Sequence, residues 1–141
     1  MERRGAMEFP EELLYTDTHE WVKVGDATLQ EEGGWVTVGL TDFAQSQLRD
    51  IVYVEFPEVG SRFNKGESIG VVESVKTAAD LFSPVTGKVT ETNVTLKDSP
   101  QFINEDPYGK GWILKMEPQE KGELKELLTS TAYQGVLPGE E

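Results

Sequence analysis

The sequence of 141 residues has no cysteine and a single histidine, His19. Without cysteine the chain forms no disulfide, offers no thiolate ligand and has no cysteine nucleophile. It also lacks the Gly-x-Ser-x-Gly segment of a serine hydrolase and the ligand spacing of a zinc site. We therefore interpret His19 as a structural residue and expect no metal site. An enzyme that uses His19 as a base is the weaker alternative.

Positive charge and long apolar segments are also scarce. The chain has 13 lysines and arginines against 26 aspartates and glutamates, a net charge of -13. A surface of this sign repels nucleic acid and anionic membranes and favours partners with basic patches. No apolar run approaches the roughly 18 residues of a membrane span, and the opening MERRGAMEF lacks the apolar stretch of a signal peptide. We expect a cytoplasmic monomer that binds neither nucleic acid nor membranes.

The length of the chain fits one domain. We place this single domain at residues 9–134, between tails at 1–8 and 135–141 that we expect to be flexible. Apolar residues alternate with polar ones in segments such as WVKV at 21–24 and IVYVEF at 51–56. Alternation with a period of two is typical of half-buried strands, so the sequence predicts a mainly β fold.

Short helices and turns are predicted between the strands. Thr41 precedes a segment with helical spacing, DFAQSQLRD, and is suited to cap its N-terminus. The leucines of GELKELL, at 122–128, also have helical spacing and predict a C-terminal helix. Gly33 and Gly34 predict a turn between the first two long strands, and the polar stretch Thr28–Glu32 lengthens that hairpin.

Lys76 lies between two similar halves of residues 59–95. Each half contains an apolar strand and a turn with a glycine at its outer end, Gly66 or Gly87. This arrangement predicts a β-hairpin with Lys76 at its tip. An exposed turn does not supply the desolvation that lowers the pKa of a Schiff-base lysine. It does give a modifying enzyme access to the amine and provides a rigid base for a tethered group, although a surface lysine is ordinarily only a solubilising charge.

The segment around Lys76 resembles a known family. VESVKTAAD at 72–80, with SPVTGKV at 83–89, is similar to the biotinyl/lipoyl attachment domain, and Glu-Ser-Val-Lys is the form found in glycine cleavage system H proteins. Further segments similar to that family are THEW (18–21), VGLTDFAQ (38–45), DIVYVEFPEVG (50–60) and INEDPYGKGW (103–112). The resemblance covers about residues 13–134. The polar passage between Val24 and Trp35 is longer and more acidic than is usual in the family.

The resemblance implies a fold and a cofactor. The expected fold is a flattened antiparallel β-barrel or sandwich, the barrel-sandwich hybrid, with short peripheral helices that include a C-terminal one. Biotin carriers have methionine on both sides of the lysine, whereas Val75 and Thr77 stand there in this chain. The implied cofactor is therefore lipoic acid, attached through an amide to Lys76. We also hypothesise that Glu73 helps the lipoyl-transfer enzyme to recognise the hairpin.

The resemblance further implies a carrier and not an enzyme. Lipoyl-Lys76 would take an aminomethyl group from a pyridoxal-phosphate glycine decarboxylase and pass it to a tetrahydrofolate-dependent aminomethyltransferase. Dihydrolipoamide dehydrogenase would then reoxidise the arm. In the family the loaded arm folds back into a cleft. The matching residues here are Thr18, His19, Glu20 and Asp80.

We hypothesise that Glu20 and Asp80 hold the ammonium of the loaded arm by charge-assisted hydrogen bonds. The alternative for both acids is a solvated surface role. Two alternatives also remain for the function of the chain. It could be a related lipoyl carrier in another pathway, such as lipoyl relay or sulfur oxidation, or an interaction domain that carries no lipoyl group.

Overall fold

The computed structural model of the protein describes residues 7–25 and 35–138. The predicted turn at Gly33–Gly34, the stretch Thr28–Glu32, residues 1–6 of the predicted N-terminal tail and residues 139–141 of the predicted C-terminal tail lie outside these ranges. The strands in the described ranges are β1 (Leu14–Tyr15), β2 (Glu20–Val24), β3 (Val36–Leu40), β4 (Ile51–Glu55), β5 (Arg62–Phe63), β6 (Ser68–Ser74), β7 (Ala78–Phe82), β8 (Gly87–Thr92) and β9 (Leu114–Pro118). The α-helices are α1 (Asp42–Leu48), α2 (Thr95–Asp98), α3 (Phe102–Glu105) and α4 (Ser130–Val136).

The strands form two antiparallel sheets. The larger sheet has the order β1-β2-β3-β9-β8-β5, and the smaller one has the order β4-β6-β7. Buried residues of both sheets, such as Val38 and Met116 from the larger and Val54 and Val72 from the smaller, belong to one apolar core cluster. Two sheets that share a core in this way confirm the predicted mainly β, sandwich-like fold with short helices.

Strand β2 separates this core from a second apolar cluster. Successive side chains of a strand point to opposite faces. Val22 therefore belongs to the core between the sheets, whereas its neighbour Trp21 packs with Tyr15, Phe43 and Tyr133 in the second cluster. The second cluster packs α4 against β1. The C-terminal helix is therefore attached to the strand that leads into the segment of residues 16–20.

Helix α1 begins as the sequence predicts. The Oγ1 atom of Thr41 accepts a hydrogen bond of 3.1 Å from the backbone nitrogen of Ala44, which satisfies a free N–H group in the first turn. Strand β4 begins within three residues of the end of α1. The chain therefore passes from this helix directly into the smaller sheet.

The C-terminal α-helix lies later in the chain than predicted. The segment with the regularly spaced leucines forms a 3₁₀-helix, Lys121–Glu126. Leu128 exchanges two backbone hydrogen bonds with Tyr15 of β1, at 2.7 and 2.8 Å, and this bridge prevents a helix from continuing through residue 128. Thr129 then caps α4, which ends at Val136, and Leu137 is buried. Helix α4 thus ends at Val136, beyond the predicted domain boundary at residue 134.

Candidate functional site

Lys76 lies in the tight turn between β6 and β7. The backbone nitrogen of Ser74 donates to the carbonyl of Thr77 at 2.7 Å, and the Ser74 Oγ atom accepts from the backbone nitrogens of Lys76 and Thr77 at 3.2 and 3.1 Å. The backbone nitrogen of Val75 donates to the carbonyl of Asp50 at 3.0 Å, which ties the tip to the start of β4. The backbone that carries Lys76 is therefore fixed from two sides.

The side chain of Lys76 is exposed and projects from this ordered turn. Its Nζ atom forms no hydrogen bond or ion pair with any residue in the described ranges, whereas Lys65, Lys88 and Lys115 each pair with a glutamate. Acylation of the Lys76 amine would thus break no hydrogen bond or ion pair within the described structure. The site fits a covalently attached acyl group, because the amine is accessible and its attachment point is rigid.

Ser74 is a supporting residue of this site that the sequence reasoning did not identify. Its hydroxyl organises the turn by accepting two backbone N–H groups, and it also contacts the Thr77 carbonyl at 3.2 Å. Serine commonly bonds to backbone groups two or three residues further along a turn. The position of Ser74 two residues before Lys76 was the signal available in the sequence.

Glu20 links the segment of residues 16–20 to the lysine hairpin. Its side chain is fully buried although it is a carboxylate. One carboxylate oxygen accepts hydrogen bonds from the hydroxyls of Thr16 and Thr18 at 2.5 and 2.6 Å. The other oxygen accepts from the backbone nitrogen of Phe82 at 3.0 Å. Because Phe82 ends β7, this last bond brings Thr18, His19 and Glu20 to the strand that carries Asp80.

The burial of Glu20 changes its acid strength. Loss of solvation raises the pKa of its carboxyl from 4.5 to about 7, against the opposing effect of the bonds from Thr16, Thr18 and Phe82. A carboxylate offers about four acceptor positions, and three of them are used by the contacts above. The fourth position, on the oxygen that faces Phe82, accepts no hydrogen bond from the residues in the described ranges.

Asp80 has the opposite environment. Its side chain is exposed on β7, and one carboxylate oxygen accepts a hydrogen bond of 3.1 Å from the hydroxyl of Ser68. Asp80 lies two residues before Phe82 on the same face of the strand, a separation of about 7 Å along the strand. The structure thus gives the region one buried and one exposed carboxylate.

His19 lies on the side of this region that faces the second apolar cluster. Its Nδ1 atom is 2.7 Å from the hydroxyl of Tyr133, which is in turn 2.8 Å from the hydroxyl of Thr41. The ring packs against Phe43, with centroids 5.0 Å apart. Burial lowers the pKa of His19, and the nearby Asp17 opposes that shift. These contacts support a structural role for His19. Tyr133 of α4 is a second supporting residue that the sequence reasoning did not identify.

Glu73 lies close to the turn on β6. It pairs with Tyr53 of β4 on one side and with Ala78 of β7 on the other. Directly paired residues of an antiparallel sheet carry their side chains on the same face. Glu73 therefore shares the outer face of the smaller sheet with Tyr53 and Ala78, one row below the lysine turn.

Two further properties concern metals and membranes. Residues 7–25 and 35–138 contain no group of three or more His, Cys, Asp or Glu side chains arranged to hold a metal ion. The helices of these ranges are all too short or too polar to cross a membrane.

Comparison with known proteins identifies the family. A family profile described as "Glycine cleavage H-protein" matches residues 13–139. Glycine cleavage system H proteins of Listeria monocytogenes serotype 4a and of Thermus thermophilus are 53% and 48% identical to the chain. These matches cover 93% and 95% of the chain, and 99% of each relative.

A solved structure agrees with the sequence comparisons. The crystal structure of a glycine cleavage system H protein from Mycobacterium marinum superposes with a TM-score of 0.79 at 41% sequence identity. The superposition covers 89% of this chain and 96% of that protein. The profile, the relatives and the fold agree over nearly the whole chain, and the chain therefore belongs to the glycine cleavage H-protein family.

Proposed function

We propose that the protein is the lipoyl carrier of the glycine cleavage system and that lipoic acid is attached to the Nζ atom of Lys76. The observation that carries this proposal is an exposed lysine without partners in the described structure, fixed at the tip of an ordered hairpin in a chain of this family. When bound, the lipoyl group supplies a disulfide that accepts and releases an aminomethyl group. The chain itself supplies the lysine to which the group is attached, the surface that partner enzymes bind and the residues that would bind the loaded arm.

The role of the chain is to present Lys76 to other enzymes. The proposed partners are a pyridoxal-phosphate glycine decarboxylase, an aminomethyltransferase, dihydrolipoamide dehydrogenase and the lipoyl-transfer enzyme. The chain acts as a substrate of these enzymes and does not catalyse a reaction alone. A tether anchored on a rigid turn raises the effective concentration of the arm at each docked partner. The cytoplasmic location and the monomeric state stay predictions.

We propose that Glu20 and Asp80 bind the ammonium of the loaded arm from two sides. The unused acceptor position of Glu20 lies beside Phe82, and Asp80 is exposed on β7, the strand that Phe82 ends. A cation close to Glu20 favours the ionised carboxylate and would lower its pKa from about 7. The amine would in turn be held in its protonated form, in which it has no lone pair to expel the sulfur.

The attachment of lipoate can be tested by intact mass measurement after expression in cells supplied with lipoate. We expect a single lipoyl adduct on the parent protein and on Lys97→Ala, which removes another exposed lysine, but none on Lys76→Ala. Because the side chain of Lys76 is exposed and forms no hydrogen bond or ion pair in the described structure, its replacement should change the free energy of unfolding by no more than about 0.5 kcal/mol. The absence of an adduct on the parent protein would favour an interaction domain without lipoate.

The pathway can be tested by glycine–bicarbonate exchange with a purified glycine decarboxylase. We expect exchange with the lipoylated protein and none with the unlipoylated protein. A protein that carries the adduct but supports no exchange would be a lipoyl carrier of another pathway. This result would overturn the proposed function while leaving the modification site in place.

A further inference from the structure

The outer face of the smaller sheet carries an apolar and acidic surface beside Lys76. The cross-strand pairs of β4, β6 and β7 place two rows of side chains on this face. We call the surface the hairpin face, and it consists of Tyr53, Glu73 and Ala78 in the row next to the turn and Glu55, Val71 and Asp80 in the next row. Every charged side chain of these two rows is acidic.

A bulge in β4 exposes the aromatic ring of this face. The register of β4 against β6 shifts between Ile51 and Tyr53, so Val52 is an extra residue without a partner across the strands. As a result both Val52 and Tyr53 are turned outwards and are 52% and 51% exposed. The bulge thus exposes two apolar side chains next to the lysine turn. In a regular strand, one of the two would point into the core.

The opposite face of the same strands is not available to a partner. The row of pairs between these two consists of Val54, Val72 and Ala79, whose side chains point to the opposite face. The two valines are buried in the core between the sheets. A protein that approaches the β strands of the hairpin broadside must therefore meet the hairpin face.

We propose that the hairpin face is the docking surface for the enzyme that acylates Lys76, with Tyr53 as its apolar anchor and with a basic rim on the enzyme opposite Glu55 and Glu73. This inference rests on the proposed function, since it requires Lys76 to be acylated. The partner is an acyltransferase that uses an activated lipoyl donor, either an acyl adenylate or a thioester.

The chemistry of the step explains why this partner, more than the others, must contact the hairpin. The amine of Lys76, after losing a proton, attacks the acyl carbon of the donor and forms the amide bond. The bond from that carbon to the leaving group breaks, and the leaving group departs with the electron pair while the nitrogen loses a second proton. Because the reacting atom is Nζ itself, the enzyme's active site must enclose the lysine side chain. The other partners act on the far end of the arm, away from the turn.

An interface of typical size that includes Lys76 would also cover the hairpin face. The row from Tyr53 to Ala78 crosses two strand spacings, about 10 Å, whereas a specific interface covers about 800 Å² on each partner. An enzyme that encloses Lys76 therefore reaches Tyr53. Tyrosine is among the residues that contribute most to interfaces, and the acidic residues around it complement a basic partner and accelerate encounter at low salt.

The test measures acylation of the unlipoylated protein by a purified lipoate–protein ligase with lipoate and ATP, followed by intact mass. We expect Tyr53→Ala to lower kcat/KM at least tenfold, mainly through KM. Val59→Ala is the control, because Val59 is 60% exposed but lies beyond the far end of β4, and it should react as fast as the parent. Thermal unfolding of each variant verifies that the fold is retained.

A second pair of variants tests the charge of the surface independently of Tyr53. Glu55→Lys, on the hairpin face, should lower kcat/KM at least fivefold at low salt and less at high salt. Glu58→Lys makes the same charge change at an exposed residue outside the face and should have a much smaller effect. Equal effects of the two variants would show that only the net charge matters, which would overturn the assignment of a specific surface.

Each remaining outcome has a separate meaning. If the parent protein accepts no lipoyl group, the proposed function fails. If the parent is acylated and Tyr53→Ala reacts at the same rate, only the present inference fails. It also fails if Tyr53→Ala is acylated normally but, once lipoylated, loses exchange with the decarboxylase, because the face then serves that enzyme. A concentration-dependent dimer of the parent that is lost in Tyr53→Ala, with unchanged acylation, would assign the face to a second copy.

Discussion

The carboxylate of Glu20 accepts a hydrogen bond from the backbone nitrogen of Phe82 at a distance of 3.0 Å. This contact joins the first residue of β2, in the larger sheet, to the last residue of β7, in the smaller one. It is made by a fully buried acid whose pKa is raised by burial to about 7. The joint between the two sheets is therefore sensitive to the protonation of one side chain.

The first prediction concerns the pH dependence of stability. The folded protein holds the proton of Glu20 up to about pH 7, whereas the unfolded chain releases it near pH 4.5. The stability contributed by the raised pKa is thus fully present below pH 4.5 and is lost as the pH rises towards 7. The loss amounts to about 3 kcal/mol, at 1.36 kcal/mol for each pKa unit. The glutamine side chain of Glu20→Gln carries no charge at any pH, so this variant should not show the loss of stability.

The measurement is urea denaturation at several pH values between 4.5 and 8. Glu20→Gln should gain stability relative to the parent as the pH rises through this range. Glu55→Gln removes an exposed carboxylate from β4 and serves as the control, with a difference from the parent that changes little. A constant difference between Glu20→Gln and the parent at all pH values would contradict a raised pKa of Glu20.

The second prediction concerns the lifetime of the loaded arm. If Glu20 and Asp80 hold its ammonium, the double variant Glu20→Gln, Asp80→Asn should release the aminomethyl group several times faster from the isolated protein. The difference between the double variant and the parent should be largest at about pH 7 and above, where Glu20 of the parent carries its charge. Formaldehyde released after loading with glycine and the decarboxylase measures the rate.

The control for the arm is Glu58→Gln, Glu105→Gln, which removes two exposed carboxylates outside both the proposed cleft and the hairpin face. It should leave the release rate unchanged. Equal rates for the parent and the double variant of Glu20 and Asp80 would leave both acids without a role in binding the arm.

The third prediction concerns the hydroxyl of Tyr133. Its removal deprives both His19 and Thr41 of a hydrogen-bond partner at 2.7 and 2.8 Å. A buried polar group left without a partner costs about 1–3 kcal/mol, so Tyr133→Phe should be destabilising. Tyr15→Phe removes a hydroxyl that donates to one group, the carbonyl of Pro10, and should cost roughly half as much.

These two tyrosines make a close control for each other, because their rings stack at a centroid distance of 4.8 Å in the same cluster. Urea denaturation gives the two costs. The chain has a single histidine, so nitrogen chemical shifts of the imidazole report on His19 alone. They should change in Tyr133→Phe and stay nearly constant in Tyr15→Phe. Equal shifts in both variants would show that the hydroxyl of Tyr133 does not determine the state of His19.

The part of the site that the sequence predicted depends on local patterns. The lysine hairpin is specified by residues within ten positions of Lys76, and the cap of α1 is specified by Thr41 and Ala44. The contact of His19 with Tyr133 joins residues 114 positions apart, and neither residue indicates the other in the sequence. Helical spacing at residues 122–128 likewise gave no sign that Leu128 pairs with β1. Contacts between distant segments override such local preferences.

The fourth prediction concerns Ser74 and the order of the lysine turn. The hydroxyl of Ser74 accepts the backbone N–H groups of Lys76 and Thr77, and the alanine variant would leave these groups to solvent. Because the turn is exposed, water replaces the lost bonds, and global stability should fall by less than about 1 kcal/mol. Hydrogen exchange at the amides of Lys76 and Thr77 should nevertheless become several times faster.

A loosened turn should also be a poorer substrate, since an ordered turn presents the amine of Lys76 without a cost in conformational entropy at binding. We expect Ser74→Ala to be lipoylated several times more slowly than the parent. Ser61→Ala removes a hydroxyl that donates to the carbonyl of Glu58 in a different turn, and it should leave the rate unchanged. If hydrogen exchange at Lys76 becomes faster but lipoylation does not become slower, the order of the turn does not contribute to its recognition by the enzyme. The fixed backbone would then contribute only to the folding of the hairpin.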